Sequence, residues 1–324
     1  MKKTETFTAT KAVRLDTFLS QELGQTRNQI AQLIKHAAID VDGKKVAKAG
    51  MKLKPDQKLT VEFPEAKVTK ALSIDFDVEV LFEDDDLLVI NKPSGLTVHP
   101  APSVKEATLV DWLKHKGIRL STISGEERHG IVHRLDRGTS GAMVVAKNNE
   151  THEALSAQLQ DKTMGRYYLA VIEPPMKEEL TEIECPIARS AQNRLKMACL
   201  EHGKMAKTQF KKLLLSKDEK NELIACKLFT GRTHQIRVHL DSISRHILGD
   251  HLYGFNDKKG KMDRILLHAY LLYFVHPRTQ ETVRFVAPIP EDMQSNLNKL
   301  FNMEQFNEVI DQDHFESYFS SSDL

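Results

Sequence analysis

Hydrophobic and polar positions near the start of the chain form two successive patterns. Apolar residues recur at i, i+3 and i+4 within residues 15–19 and again within 30–34, which predicts two short amphipathic helices. Residues 39–41 then alternate between apolar and polar, Asp42-Gly43 signals a turn, and residues 59–63 alternate again, as strands of a small antiparallel sheet do. These patterns predict a small α+β unit at the head of the chain.

The longer region that follows mixes strand and helix patterns without regular alternation. Short apolar runs predict strands at residues 78–80, 87–90, 143–146, 167–172, 223–229 and 282–286. Helical spacing occurs at residues 109–113 and 150–160. We therefore predict an α+β fold with a mixed, largely antiparallel sheet, rather than a doubly wound parallel sheet.

Four segments follow from these patterns. We expect a head at residues 11–63, a linker rich in proline and charge at 64–75, a main domain at 76–300 and an acidic tail at 301–324, which is disordered in part. The tail holds six acidic residues and no Lys or Arg, so removing it from the net charge of +1 leaves +7 on the first 300 residues. This charge favours a polyanionic partner, although it is also a common solubility device.

The composition, 40% hydrophobic and 28% charged, is that of an ordinary soluble protein. Residues 1–10 lack the apolar core of a signal peptide, and the apolar stretch at 265–275 is too short to span a membrane. The cysteines, Cys185, Cys199 and Cys226, are odd in number and far apart, so we expect neither a disulfide framework nor a zinc knuckle. The expectation is a reduced, cytoplasmic protein.

Candidate chemistry gathers in two segments. Asp136 ends the sequence His-Arg-Leu-Asp and precedes a turn of small residues, a loop on which a carboxylate can approach a substrate closely, although an Asp before a turn is usually only turn chemistry. Further along, Arg232, His234 and Arg237 crowd the start of a predicted helix, for which Thr233 is the expected N-cap. Helix starts attract anions, so this cluster favours an anionic partner.

Residues 14–46 resemble the S-four RNA-binding domain, which is named after a small-subunit ribosomal protein. The resemblance rests on Arg14-Leu15-Asp16, on a basic residue that opens the second helix (Arg27) and on Val41-Asp42-Gly43-Lys44. It implies that Arg14, Arg27 and Lys35 contact RNA phosphates. Such contacts position a protein on RNA but carry little sequence information.

Long motifs in the main domain look like those of the RluA/RluD family of pseudouridine synthases. They are HRLDRGTSG, RYYLAV and TGRTHQIRVHL, supported by LLVINKPSGLTVHP, LGDHLYG and LHAYLLYFVHP. By position, the resemblance makes Asp136 the catalytic carboxylate, Arg237 its pairing cation and Tyr168 the active-site tyrosine. Arg134 matches an arginine that enters the RNA stack vacated by the target base. We add two residues of the third motif to the RNA-binding set: Arg232 and His234.

The resemblance implies an enzyme that isomerises uridine to pseudouridine in structured RNA. This reaction breaks the N1–C1′ bond, turns the uracil and rejoins it through C5, so no cofactor is expected. Asp136 acts either by adding to C1′ or by removing the 2′ proton, and the sequence leaves both open. The expected substrate is 23S large-subunit ribosomal RNA, with tRNA as the alternative and a non-catalytic ribosome assembly factor as the rival function.

A metal site is not expected. His133, His234 and His239 lie in separate segments without the HExxH spacing that supports zinc. A metal-dependent nuclease is a second rival function, and activity that survives a chelator such as EDTA would count against it. We expect a monomer that binds RNA and makes no contact with membranes.

Overall fold

The computed structural model describes residues 4–23, 30, 33–34, 39–46, 48–62, 74–101, 104–118, 120–121, 130–256, 262–315 and 317–319. The chain forms two compact units, Met1–Ala71 and Leu72–Leu324, here called the head and the main unit. Among the described residues, no helix combines the length and the apolar character needed to cross a bilayer.

The head is a small α+β unit. Its described elements are β1 (Thr4–Thr8), α1 (Leu15–Glu22), β2 (Ile39–Val41), β3 (Lys44–Lys45) and β4 (Lys58–Glu62). The strands lie in the order β1-β4-β2-β3 and pair antiparallel. Strand β1 was not predicted, because its sequence TETFT carries a single apolar side chain. Apolar side chains from α1 and the sheet form the head's core: Leu15, Phe18, Leu19, Ile39, Val41, Leu59 and Val61.

The main unit is built on one mixed sheet. Its strands are β5 (Glu79–Glu83), β6 (Leu87–Lys92), β7 (Ser140–Ala146), β8 (Gly165–Glu173), β9 (Leu180–Arg189), β10 (Met197–Cys199), β11 (Lys204–Leu215), β12 (Glu222–Leu228), β13 (His246–Ile247), β14 (Leu267–Val275) and β15 (Thr282–Val286). They lie in the order β10-β9-β11-β12-β8-β14-β7-β6-β5, with β13 beside β8 and β15 beside β14. Among these strands, only β7 and β14 pair in parallel, which confirms the predicted mixed, largely antiparallel sheet.

Helices cover both faces of this sheet. Those described are α2 (Leu109–His115), α3 (Asn149–Asp161), α4 (Gln235–Ser242), α5 (Glu291–Leu300), α6 (Met303–Val309) and α7 (Gln312–Phe315). A capping box opens α2: Thr108 accepts from the Asp111 backbone N–H, and the Asp111 carboxylate accepts from the Thr108 N–H. The Asn148 side chain caps α3 by accepting from the Thr151 N–H. These caps fix the starts of two helices that the apolar spacing predicted.

Strand β8 separates the two main hydrophobic cores. Successive side chains of a strand point to opposite faces, and both faces of β8 are covered. Tyr168, Ala170 and Ile172 belong to the core that contains α2 and α4. Tyr167, Leu169 and Val171 belong to the core under the C-terminal helices. A strand buried on both faces reads as a continuous apolar run, which is why GRYYLAVI predicted a strand so clearly.

The acidic tail is part of the second core over its described residues. Phe301, Phe306 and Phe315 are 0–1% exposed and Phe319 is 9% exposed, and all four pack in the core that contains Tyr167. Residues 301–315 and 317–319 are therefore ordered, and partial disorder remains a prediction for residues 316 and 320–324, which lie outside the described residues. The four phenylalanines lie in or beside separate short helices and form no regular spacing, so their packing was not recognised in the sequence.

Replacing Phe306 by Ala is expected to lower the free energy of unfolding by about 3–5 kcal/mol, because a buried aromatic ring is lost and a cavity remains. Urea unfolding of the full chain measures this. Leu195→Ala is the matched control, because Leu195 is 72% exposed and should change stability by less than about 0.5 kcal/mol. Equal stability of the Phe306→Ala and Leu195→Ala proteins would show that the tail does not support the fold.

Two cysteines lie together despite their separation in sequence. Cys185 on β9 and Cys199 on β10 form a disulfide in the structure, with 5.8 Å between their Cα atoms. Strands β9 and β10 pair antiparallel with Cys199 opposite Ile187, which is two residues from Cys185 along β9. The expectation that these cysteines form no disulfide is therefore wrong. The hairpin that unites them has a half-polar sequence that the apolar pattern did not reveal. The third cysteine, Cys226, is buried and free.

Candidate active site

Asp136 lies on the loop that leads into β7. The loop turns directly after Asp136, whose carbonyl accepts from the Thr139 N–H at 3.1 Å. Gly141 then allows β7 to approach β14: a Cβ at this residue would lie 2.2 Å from the Ala269 carbonyl oxygen, and its φ is +121°. Only glycine tolerates both conditions. The Asp136 side chain keeps 17% of its surface exposed, so a ligand can reach it.

Arg237 joins Asp136 to a second carboxylate. The Arg237 Nη1 donates to Asp136 Oδ2 at 3.3 Å. Its Nε and Nη2 donate to the two oxygens of Asp250 at 2.6 and 2.9 Å. Burial lowers the pKa of the Arg237 guanidinium, but the bonds and charge of Asp250 and the charge of Asp136 outweigh it, so the pKa is raised overall. The shorter, two-bonded contact shows that Asp250 orients Arg237 and leaves one edge of the guanidinium for Asp136.

Tyr253 packs on this arginine and connects it to His234. The Arg237 Cζ lies 4.7 Å from the centre of the Tyr253 ring, a cation–π distance. The Tyr253 hydroxyl lies 2.8 Å from His234 Nδ1 and accepts from the Met197 N–H at 2.7 Å. His234 is the N-cap of α4 and has a left-handed backbone, with φ of 58°. The expectation that Thr233 caps this helix is therefore wrong.

Tyr168 lies on β8 and lines the same cleft as Asp136. Burial raises the pKa of Tyr168 to about 12, with a smaller opposing effect of Arg166 and a small further increase from Asp136. The phenol therefore stays protonated at neutral pH. Its side chain can offer an apolar ring and a hydroxyl donor to a bound ligand.

Arg166 is a further cation of the cleft that the sequence did not reveal as functional. It is 9% exposed, and its Nε has no hydrogen-bond partner among the described residues. Gly231 makes room for it: a Cβ there would lie 2.6 Å from the Arg166 Nη1. Burial lowers the pKa of the Arg166 guanidinium. A buried cation without a full set of partners is suited to an anionic or carbonyl-bearing ligand.

One cleft unites the main-unit residues expected from the sequence. It is lined by all six of them: Arg134, Asp136, Tyr168, Arg232, His234 and Arg237. Arg134 is exposed, and its Nη1 lies 3.0 Å from the His99 Nε2. Arg232 is exposed and donates from Nε to the Met205 carbonyl at 3.1 Å. A carboxylate thus lies among several cations and one tyrosine, an arrangement that can hold a nucleotide and act on its sugar.

Comparison with known proteins shows which family the chain belongs to. A family model described as RNA pseudouridylate synthase matches residues 86–242, and one described as S4 domain matches residues 13–59. An uncharacterized RNA pseudouridine synthase of Helicobacter pylori is 48% identical over 307 residues, which cover 93% of this chain and 94% of that protein. The chain belongs to the RNA pseudouridylate synthase family. It is an RNA pseudouridine synthase with an RNA-binding S4 domain.

Two further relatives extend the comparison. The ribosomal large subunit pseudouridine synthase D of Zymomonas mobilis is 38% identical over 295 residues, which cover 87% of this chain and 92% of that protein. The solved structure of human RNA pseudouridylate synthase domain containing 1 superposes with a TM-score of 0.57 at 22% identity and covers 72% of this chain and 94% of the human chain. The synthase therefore shares its fold with that human protein.

The segment Asn-Lys-Pro-Ser-Gly at residues 91–95 contacts the loop that carries Asp136. Lys92 is fully buried, and its Nζ donates to the Pro93 and Leu96 carbonyls at 2.8 Å and to the Arg137 carbonyl at 3.4 Å. Burial lowers the pKa of Lys92 to about 7, partly offset by Asp136. The Gly95 N–H donates to the same Arg137 carbonyl at 2.8 Å. These bonds fix the residue that follows Asp136.

Of the three head residues predicted to contact phosphates, only Arg14 lies within the described residues. Arg14 is exposed and forms two hydrogen bonds with Asp16, at 3.0 and 2.8 Å. The Asp16 hydrogen bond and charge raise the pKa of Arg14. A phosphate must therefore share or displace this carboxylate. Arg27 and Lys35 lie outside the described residues.

Proposed function

We propose that the synthase isomerises uridine to pseudouridine in 23S large-subunit ribosomal RNA, with Asp136 as its catalytic carboxylate. The observation that carries the proposal is the carboxylate of Asp136, partly exposed in a cation-lined cleft and bonded to the buried Arg237. The synthase works as a cytoplasmic monomer in this proposal. Residues 11–63 act as the RNA-binding head, 64–75 as the linker and 76–300 as the catalytic domain, against which residues 301–319 fold.

Asp136 would act at the ribose of the target uridine. Isomerisation breaks the N1–C1′ bond, turns the base, forms the C5–C1′ bond and releases the C5 proton. A carboxylate can add to C1′ or remove the 2′ proton, and either role needs its ionised form. Arg237 would favour that form by its charge, while Asp250 holds Arg237 in place. No redox step or phosphate donor enters this sequence of bond changes.

The surrounding cations would hold the RNA. A base inside a stack must leave it to reach the cleft, at a cost of a few kcal/mol. Arg134 is exposed at the mouth of the cleft, and its planar guanidinium can stack in the vacated space. Arg232 and His234 would contact the flanking backbone. Arg14, Arg27 and Lys35 of the head would add phosphate contacts and thus a salt-dependent affinity.

Ribosomal RNA is the preferred substrate class because relatives carry that assignment in their names. Ribosomal large subunit pseudouridine synthases D of Zymomonas mobilis and Nitrosomonas europaea are 38% and 34% identical to this chain over nearly its whole length. The S4 head adds a second RNA-binding surface, which suits a large structured RNA. The alternative substrate is tRNA.

Tritium release tests the reaction and the substrate class together. Large-subunit ribosomal RNA and tRNA, each carrying uridine tritiated at C5, are incubated with the full chain. Release from the ribosomal RNA alone supports the proposal, and release from tRNA alone assigns the tRNA alternative. Tight binding of ribosomal RNA without release from either RNA, also within partially assembled large subunits, would leave the non-catalytic assembly factor as the better account.

Tyr168→Phe is expected to slow tritium release by about 10²-fold or more, because the buried hydroxyl that can relay the C5 proton is removed. Tyr168→Leu should be slower still, because loss of the ring also removes stacking on the base, worth about 1–3 kcal/mol. Single-turnover rates and RNA dissociation constants measure the two effects separately. A wild-type rate for Tyr168→Phe would show that the hydroxyl takes no part in proton transfer.

A further inference from the structure

A second cluster of chemically reactive side chains lies outside the catalytic cleft. Cys185 on β9, Cys199 on β10 and His239 on α4 each place one metal-binding atom within 4.8 Å of the other two. None of the three is among the residues that line the cleft. We propose that this cluster, in its reduced form, is a zinc site built from two thiolates and one imidazole.

The state of His239 provides the second observation. The side chain is completely buried, and its Nδ1 lies 2.9 Å from the Thr208 hydroxyl. Its Nε2 forms no hydrogen bond of normal geometry among the described residues. Burial lowers the pKa of His239, although the Cys185 backbone lies close enough to the ring to raise it in opposition. A buried polar atom without a partner costs free energy, so the Nε2 lone pair is suited to bind an ion. With the Nδ1 proton donated to Thr208, Nε2 offers its lone pair to a metal, the arrangement that a second hydrogen bond fixes in metal-binding histidines.

The donor set selects the metal. Two cysteine sulfurs and one imidazole nitrogen are the ligands that zinc prefers, and zinc takes four ligands in a tetrahedral arrangement. Cys185 and Cys199 are only half-buried, so water can supply the fourth ligand.

Formation of the site from the disulfide requires a thiol reductant. Two low-molecular-weight thiols transfer two electrons to the Cys185–Cys199 bond and become a disulfide themselves. The two cysteine sulfurs are then bound by Zn²⁺ as thiolates, and two protons are released. The disulfide and the zinc complex are therefore alternative states of the same two sulfurs.

The zinc would tie the hairpin β9–β10 to the helix that carries Arg237. Arg237 and His239 lie two residues apart on α4. Strand β10 supports the other side of the arginine, because the Met197 N–H donates to the hydroxyl of Tyr253. A metal that joins β9, β10 and α4 would thus stabilise the position of Arg237. The sequence did not predict this cluster because its three side chains come from three separate elements. They therefore do not form a metal-binding motif of fixed spacing.

Metal content of the purified, untagged full chain tests the proposal. The protein is expressed in zinc-containing medium and kept under a thiol reductant, and its zinc is counted by mass spectrometry. Wild type and Cys226→Ala should hold one zinc per chain, because Cys226 is buried on β12 away from the cluster. Cys185→Ser, Cys199→Ser and His239→Gln should lose most of it. Zinc that is absent from wild type, or equal in the wild-type and Cys185→Ser proteins, overturns the proposal.

Cobalt substitution gives a readout on wild type alone, in case the variants fail to fold. Co²⁺ added to the reduced protein should produce the near-ultraviolet absorption of thiolate-to-cobalt charge transfer, and a disulfide-forming oxidant should abolish it. Reduced protein without that absorption contradicts the site. Neither measurement depends on RNA or on catalytic activity.

Discussion

Asp136→Asn is expected to reduce tritium release from ribosomal RNA by more than about 10³-fold, because the amide can neither add to C1′ nor remove a proton. The fold should survive this change. Arg237 keeps its two bonds to Asp250, at 2.6 and 2.9 Å, when its longer 3.3 Å bond to Asp136 is weakened. Single-turnover rates measure the loss, and thermal unfolding monitors the fold.

The loop residues that follow Asp136 include no carboxylate. Asp241→Asn therefore serves as the control. Asp241 is on α4, and its side chain is 42% exposed. This variant should keep the wild-type rate. Retention of activity by Asp136→Asn would remove Asp136 from the catalytic role, whereas loss in both variants would indicate a general effect on the protein.

Asp250→Asn is expected to have the largest combined effect on stability and rate. Asp250 is 1% exposed and holds the buried Arg237 by two bonds. Breaking a buried ion pair by removing one partner costs about 3–5 kcal/mol. An arginine that is free to turn fully onto Asp136 would also misplace that carboxylate, and a displacement of this kind costs about 10²-fold in rate.

Urea unfolding and single-turnover tritium release measure these two effects. Arg237→Lys gives a matched comparison, because it keeps the positive charge but loses the two-bonded geometry. Both variants should be slow, since each leaves Asp136 without an oriented arginine. A full wild-type rate for Asp250→Asn would show that Asp250 is needed only for stability.

The sequence predicted the central residues of the cleft because each lies in a long motif. Asp136 from a loop, Tyr168 from β8 and Arg237 from α4 were expected to act together, and they line one cleft. Asp250 was not identified, although the segment LGDHLYG that contains it was recognised. Its partnership with Arg237 depends on how that segment packs against α4. A local pattern of apolar and polar residues cannot predict this contact between Asp250 and Arg237.

The same limit explains the errors in the fold. Strands β9 and β11 each have one polar face, which carries glutamates in β9 and lysines in β11. Because their apolar residues do not form continuous runs, the hairpin that joins Cys185 and Cys199 was missed. The packing of the tail was not predicted because charged residues dominate its composition, while its phenylalanines make the buried contacts. Strands buried on both faces, such as β8, were predicted well because burial makes nearly every residue apolar.

The most direct test of the central claim is a map of pseudouridines in large-subunit ribosomal RNA, obtained by carbodiimide modification and primer extension. The RNA is taken from cells that lack this gene and from the same cells carrying the wild-type or the Asp136→Asn chain. The account predicts that one or more pseudouridines disappear without the gene, return with wild type and remain absent with Asp136→Asn. An unchanged map in the cells that lack the gene, or restoration by Asp136→Asn, would contradict it.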